Sequence, residues 1–273
     1  MKQKVIFLDV DGTIYDEKGE IPQSTRRAIA LAHDKKHLIL LCTGRSYSEI
    51  GAELWDLKLD GMIGSAGAFI YFRDKILFHR PMKPESVHNL LDFLERKNIP
   101  YVLETNEAIY GKAPGLVYVD RIIQDRLEKN PNLAPDFLGE IRQVEDCYGI
   151  DEVNKILFFD APFSNEEMKQ QLEAEYTMVP NSVAQYGKCS GEVSEKGMSK
   201  AKGIERFLAI VGLEREDTVA LGDGANDMEM IQYVQTGIAM GNAVNSLKKK
   251  ADYVTGDVGQ DGIYEAFEKF GLI

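Results

Sequence analysis

Val5-Ile6-Phe7-Leu8-Asp9-Val10-Asp11-Gly12-Thr13 is the stretch on which the reading of this chain turns. Four successive apolar residues, rich in branched and aromatic side chains, predict a short strand buried on both faces, as in a parallel sheet. Extended backbone repeats with period two, so Asp9 and Asp11 are expected to lean to one side while Val10 points away. In an open α/β sheet, ligands gather just beyond the carboxyl ends of the strands, where this pair falls. Asp and Gly are also ordinary turn residues, so an Asx turn leaving a strand accounts for the stretch equally well on its own.

Downstream, Thr25, Ala28 and Ala32 share a helical face. Leu38-Ile39-Leu40-Leu41-Cys42 reads as a second buried strand, ending in Thr43-Gly44-Arg45. Strand and helix in alternation imply a parallel sheet with crossover helices, so Thr43 is expected at the sheet edge that carries Asp9. Ser46 to Leu57 reads as a helix, Met62-Ile63 as a strand, and Ala68 to Phe78 as two runs parted by Arg73-Asp74. After Pro81 and Pro84 the character changes. Val87, Leu90, Leu91 and Leu94 have the spacing of a packed helix, Tyr101 to Leu103 that of a strand. Ile122, Ile123 and Leu127 suggest a helix running into a loop at Asn130-Pro131-Asn132. Lys155 to Phe159 reads as a strand, and Ser164 with Glu167 forms a capping box that opens another helix. The parallel-sheet pattern then returns with the stripe Ile204, Phe207, Leu208, Val211. It continues in strands at Thr218 to Leu221, Gly237 to Gly241 and Ala251 to Thr255. Residues 1–82 and 188–273 are thus expected to form an α/β core domain with a Rossmann-like parallel sheet, and residues 83–187 an inserted α+β domain.

With 273 residues, 44% hydrophobic and 28% charged, the composition is that of a folded globular protein. Asp and Glu number 44 against 32 Lys and Arg, a net charge of −12 that argues against nucleic acid and anionic membranes as partners. No apolar run approaches a membrane span, and the run after Met1-Lys2-Gln3-Lys4 is too short for a signal peptide. Cys42, Cys147 and Cys189, odd in number and widely spaced, suit a reducing cytoplasm and neither a zinc site nor a disulfide framework. Lys248 to Lys250 reads as a solvated face. His33, His37, His79 and His88 show no spacing with a nucleophile or metal group.

Four polar clusters therefore stand at strand ends or helix starts of one sheet: Asp9 with Asp11, Thr43, a lysine near residue 200, and Asp223 with Asn226 and Asp227. Among Lys196, Lys200 and Lys202, helical spacing puts Lys200 on the buried stripe with Ile204 and Phe207. Lys202 is rotated roughly 200° from it, and Lys196 precedes the helix. A lysine on an apolar stripe is costly unless it meets opposite charge. Carboxylates about 4 Å apart repel by on the order of 4 kcal/mol per pair at an effective dielectric near 20, so the aspartates call for a counter-charge. An all-oxygen ligand set selects a hard divalent cation such as Mg²⁺.

In order, Asp-Val-Asp-Gly-Thr, Thr-Gly-Arg, Lys and Gly-Asp-Gly-Ala-Asn-Asp resemble the four motifs of the haloacid dehalogenase superfamily phosphatases. The insertion between the second and third motifs resembles the large α+β (type IIB) cap of the Cof-like branch, and the resemblance covers essentially the whole chain. It implies a Mg²⁺-dependent phosphomonoester hydrolase acting on small phosphorylated metabolites, sugar phosphates among them. In that scheme Asp9 is the nucleophile that becomes an aspartyl phosphate, and Asp11 is the general acid and base. The metal ligands are the Asp9 carboxylate, the Asp11 backbone carbonyl and the Asp223 carboxylate, with Asp227 behind them. Val10, Thr43, Gly44, Lys200 and Asn226 hold the phosphoryl oxygens, although a helix N-cap also suits Thr43. Arg45 is a further candidate for substrate contact. The same phosphoaspartate would serve a phosphomutase or phosphotransferase, and a non-catalytic phosphometabolite-binding regulator is the alternative outside enzymes. The substrate and the oligomeric state are not legible.

Overall fold

The computed structural model describes residues 2–131, 138–180 and 187–273. The fold is α/β, and the chain divides into two compact units. Met1–Gly44, Ala52–His79 and Ser199–Ile273 form the first, and Arg45–Gly51 with Arg80–Met198 the second. In chain order β1 (Val5–Leu8), β2 (Leu38–Cys42), β3 (Gly61–Gly64), β4 (Phe69–Phe72) and β5 (Lys75–His79) belong to the first unit. Then β6 (Tyr101–Glu104), β7 (Ile109–Gly111), β8 (Ile141–Gln143), β9 (Lys155–Phe158), β10 (Tyr176–Pro180) and β11 (Gly191–Glu195) belong to the second. Finally β12 (Thr218–Gly222), β13 (Thr236–Ala239) and β14 (Tyr253–Val254) return to the first.

The first sheet runs β14-β13-β12-β1-β2-β3-β4-β5. It is parallel from β14 to β3 and closes with an antiparallel hairpin, β4 and β5, turned by Arg73 and Asp74 at positive φ. Every residue of β1, β2 and β12 is buried, as expected of parallel strands covered on both faces. The second sheet runs β10-β11-β9-β6-β7-β8 and is mixed. Its strands alternate with period two between two clusters. Leu103, Ile156 and Phe158 pack with the helices Pro84–Arg96 and Asn165–Leu172, while Val102, Leu157 and Phe159 pack with the helix Ala113–Lys129. The Ser164 capping box forms as expected, the hydroxyl accepting from Glu167 N at 3.2 Å and the carboxylate from Ser164 N at 2.8 Å.

Two expectations need correction. Ser46 to Leu57 is not one helix but a single 3₁₀ turn, Tyr47–Glu49, and a short helix, Ala52–Trp55. Glu49 reaches back to Ser46 N and closes the turn, Ile50 is extended, and at Gly51 the chain passes from one unit to the other. The second unit extends past 83–187, because β11 pairs with β9 and β10. Strands β7, β8, β10 and β11 had no signal of their own in the sequence, being short or polar in alternate positions. Asn132, at the end of the loop expected after Leu127, lies outside the described residues. Among the described residues no helix is long and apolar enough to cross a membrane.

One helix decides the geometry at the carboxyl edge of the first sheet. Lys200–Val211 packs with Phe207 edge-on to Phe7 and Phe72, ring centroids 6.0 and 5.1 Å away. Its first turn lies so close to β3 and the turn at residues 65–67 that a methyl added at Gly203 would sit 2.5 Å from Ile63 Cγ2 and 2.8 Å from Gly67 Cα. Gly203→Ala should therefore cost about 1–3 kcal/mol in a urea titration, as overpacking does. A parental midpoint would show that the helix can move away freely.

Candidate active site

Register brings the motifs to one edge. Leu8 lies between Leu41 and Leu221 in the parallel ladder, so Asp9, Thr43 and Asp223 leave three adjacent strands at their carboxyl ends. Asp9 N donates to Leu221 O at 3.1 Å and Thr43 N to Ile63 O at 2.9 Å, which ties both residues into the sheet just past the assigned strands.

Lys200 opens its helix 2% exposed, with its ammonium 2.7 Å from Asp9 Oδ1 and 2.6 Å from Asp227 Oδ1. The helical phase read from the sequence is thus realised, and Lys202 is exposed. Asp227 is fully buried. Its other oxygen accepts from the backbone N–H of Asp223 (3.0 Å) and Gly224 (2.9 Å), so both oxygens are occupied by donors. Asp223 is only partly buried and accepts at Oδ1 from the Thr13 hydroxyl at 3.3 Å. Its carboxylate lies against the chain at Gly12, where φ is +80° and a Cβ would stand 2.3 Å from Asp223 Oδ2. Only glycine suits that position.

Two supporting residues were not singled out from the sequence. Thr13 is fully buried beneath Asp223. Asn242 donates to Gly12 O at 2.8 Å and accepts from Val258 N at 2.9 Å, fixing the turn after β1. Thr13 stands inside the stretch that announced the site. The Gly241-Asn242 pair after β13 was the available signal for the other.

The other expected site residues differ in how far they are enclosed. Asp11 lies beyond β1 in a tight turn, where Val10 O accepts from the amides of Thr13, Ile14 and Tyr15. The period-two argument therefore stops short of Asp11, whose residue is exposed although its charge is felt at Asp9 and Asp223. Val10 and Thr43 are buried, and a Cβ added at Gly44 would meet nothing within 4 Å. Thr43 is not a helix N-cap; Ser46 takes that role for the 3₁₀ turn. Asn226 is exposed in the turn Ala225–Asp227. Arg45 belongs to the second unit, where its Nη1 donates to Glu49 O at 3.1 Å.

The charges do not balance. Asp9, Asp223 and Asp227 each offer a carboxylate oxygen within 4.8 Å of the others, against the single ammonium of Lys200. Burial pushes the Asp9 carboxyl up to about 8, the Asp227 charge adding to the rise and Lys200 opposing it. Burial and Asp227 likewise push Asp223 up to about 6. Burial works against the Lys200 ammonium, yet Asp227 and Asp9 outweigh it and hold the lysine well above its ordinary range. An all-oxygen set with uncompensated negative charge fits a hard divalent cation.

Carboxylates and a lysine thus converge at the carboxyl edge of a parallel sheet, the place where open α/β folds bind and transform their ligands. The family model for haloacid dehalogenase-like hydrolases matches residues 6–267. YkrA of Bacillus subtilis, whose name assigns it provisionally to the phosphatases, is 30% identical over the full length of both chains. YwtE of the same organism, a 5-amino-6-(5-phospho-D-ribitylamino)uracil phosphatase, is 26% identical over 95% of each. The solved structure of BT4131, a subclass IIB sugar phosphatase of that superfamily, superposes with a TM-score of 0.82 at 30% identity, covering 99% of this chain and 100% of its own. The chain belongs to the haloacid dehalogenase-like hydrolases. Within them it is a phosphatase.

The raised carboxyls have a consequence for stability. In the folded metal-free protein Asp9 and Asp223 keep protons that the unfolded chain has released above its ordinary carboxylate value of 3.8. Their contribution is full below that value and is lost as pH rises through about 6 and about 8. Metal-free protein should melt lower at pH 8 than at pH 5, and added Mg²⁺ should raise the melting temperature more at pH 8. A cation effect independent of pH in calorimetry would refute this linkage.

Proposed function

We propose that the chain is a Mg²⁺-dependent phosphomonoester hydrolase that acts on small phosphorylated metabolites through an aspartyl phosphate on Asp9. The observation that carries this reading is the buried Lys200 ammonium shared by Asp9 and Asp227 beside the half-open carboxylate of Asp223. In this reading the Asp9 and Asp223 carboxylates and the Asp11 backbone carbonyl hold the metal. Asp227, its oxygens already taken by Lys200 and two amides, stands behind them and orients the lysine. When bound, Mg²⁺ supplies the positive charge that lets a carboxylate approach a phosphate dianion.

The protein's own residues do the rest. An oxygen of Asp9 attacks phosphorus as the bond from phosphorus to the ester oxygen breaks, with Lys200 holding Asp9 in line. Asp11, exposed on its turn, gives its proton to the departing oxygen. It then takes one from the water that attacks the aspartyl phosphate, so that inorganic phosphate leaves and Asp9 is restored. The Thr43 hydroxyl, the Val10 and Gly44 amides and the Asn226 side chain bind phosphoryl oxygens, and Arg45 meets the leaving group. Sugar phosphates are the favoured class. BT4131 is a sugar phosphatase and YwtE a phosphatase of a phosphoribityl compound, and both substrates carry phosphate on a polyhydroxylated chain. The free, buried thiols of Cys42, Cys147 and Cys189 suit the cytoplasm as its compartment. Phosphate release across a panel of phosphorylated metabolites, with and without Mg²⁺, tests the reading; no Mg²⁺-dependent release from any member would overturn it.

Lys200→Ala should lower kcat about 10²- to 10³-fold, as loss of one donor aimed at developing charge does. Lys202→Ala should remain within a factor of about two, as exposed substitutions do. Equal losses would remove Lys200 from the mechanism.

Asp11→Asn separates the two steps. A nitrophenolate leaves without a proton, so 4-nitrophenyl phosphate should still phosphorylate this variant, whereas an alkyl phosphate should slow by about 10²- to 10⁴-fold. With no base for the second step, rapid-quench kinetics should show a nitrophenol burst of about one equivalent, and mass spectrometry should find the phosphoryl group on Asp9. Equal slowing with no burst would mean that Asp11 acts through its backbone alone.

A further inference from the structure

The turn after β1 contains a hinge. Gly12, directly after Asp11, holds φ of +80° with the Asp223 carboxylate against it, so a side chain has no room there. Glycine is also the residue with the greatest backbone freedom. The position that lets the chain turn therefore does nothing by itself to hold Asp11 in one place.

The restraint comes from two sides, both within the first unit. Beyond the hinge, the Thr13 hydroxyl donates to Asp223 Oδ1 at 3.3 Å. At the hinge, Gly12 O accepts from Nδ2 of Asn242, 230 positions away in the chain, at 2.8 Å. Asn242 Oδ1 in turn accepts from Val258 N at 2.9 Å. With an acceptor at Gly12 O and a donor at Val258 N, the side-chain amide is satisfied in one orientation only. The loop that carries it is itself clamped. Met240 N donates to Gly222 O, Gly241 N to Gly256 O and Val244 N to Asp223 O, each at 2.9 Å. A Cβ at Gly241 would stand 2.5 Å from Asp257 N, so this loop lies directly against the one after β14. Gly12, Asp223 and the loop 240–244 thus close a ring of contacts around the turn that bears Asp11.

We infer that Asn242 is a positioning residue for proton transfer: it pins the hinge at Gly12 and so aims the Asp11 carboxyl at the departing ester oxygen, without touching substrate. The inference rests on the reading of Asp11 as the general acid. Such an acid must come within about 3 Å of the oxygen it protonates, and misplacement by about 1 Å can cost on the order of 10²-fold. Lys200 and Asp9 do not depend on the hinge, so a loss of aim should show only where the leaving group needs a proton.

Asn242→Leu keeps the bulk and removes both hydrogen bonds. Its kcat/KM, which follows the reaction through phosphoenzyme formation, should fall about tenfold or more for phenyl phosphate, whose phenolate is about as basic as a tyrosine side chain. For 4-nitrophenyl phosphate the fall should be no more than about threefold. In the Asp11→Asn background, where no acid remains to be aimed, Asn242→Leu should cost less than about twofold with phenyl phosphate. Hydrogen exchange read by mass spectrometry should be severalfold faster across residues 9–15 in Asn242→Leu than in the parent. Should that variant fail to fold, Asn242→Ala carries the same readouts. Equal losses for the two esters, parental rates with phenyl phosphate, an undiminished effect in the Asp11→Asn background or parental exchange would each overturn the inference. An Asp11→Asn protein that slows both esters alike would remove Asp11 as the acid and overturn the aim with it. A parent that hydrolyses neither ester would overturn the functional reading alone, with exchange across residues 9–15 still deciding whether Asn242 holds the hinge.

Discussion

Everything at the site depends on one ammonium held in a place where a charge is expensive. Lys200 has almost no contact with water, and it is stable there because Asp9 and Asp227 flank it within hydrogen-bonding distance. That arrangement fixes three things together. It sets the start and phase of the helix Lys200–Val211, the direction of the Asp9 carboxylate at the end of β1, and the fold of the turn that brings Asp227 back over Gly222. A carbon at Gly222 would stand 2.5 Å from Asp227 Cγ, so the turn closes only because that strand ends in glycine.

The two units solve the same electrostatic problem in opposite ways. Each buries one lysine among three carboxyl groups, Lys200 with Asp9, Asp223 and Asp227, and Lys155 with Glu49, Glu104 and Glu192. In the second unit Lys155 pairs with the buried Glu104 at 2.9 Å and with the partly exposed Glu192 at 3.2 Å, so part of the charge is left to solvent. In the first unit the Asp223 carboxylate is held, among the described residues, by one long hydroxyl bond from Thr13. Residual negative charge at a sheet edge is what makes a place receptive to a cation.

Much of this was legible in the chain. Near-continuous apolar runs at 5–8, 38–42 and 218–221 can be buried only in a parallel sheet, and the polar residues at their ends then fall on one edge by topology alone. The phase of Lys200 came directly from 3.6 residues per turn. What escaped reading were effects of tertiary context. Ser46 to Leu57 has helical composition, but a carboxylate folding back on Ser46 and a change of unit at Gly51 break it. The strands β7 and β8 are three residues each and exist only because a neighbouring strand supplies their partners. Asp11 was expected to lean with Asp9 in extended backbone, but the chain turns at once after Val10, whose carbonyl accepts from three following amides. Thr13 and Asn242 matter through hydrogen bonds to carboxylate and backbone, which leave no periodic trace.

The central strand β1 has one neighbour close in sequence, β2, and one far away, β12. The counter-ion of Asp9 is separated from it by 191 positions. On the ribosome the first seventy-nine residues therefore emerge with the inner edge of β1 unpaired and a carboxylate bound for a buried place with nothing to neutralise it. They must wait while the whole of the second unit is made. Such high contact order makes the first unit slow to complete and leaves a hydrophobic strand edge open to wrong partners in the interval. The second unit has no such delay, since all of its strands arise between residues 101 and 195. Synthesis thus finishes the inserted part first, and the carboxyl edge of the first sheet becomes whole only when the chain from Ser199 onward arrives.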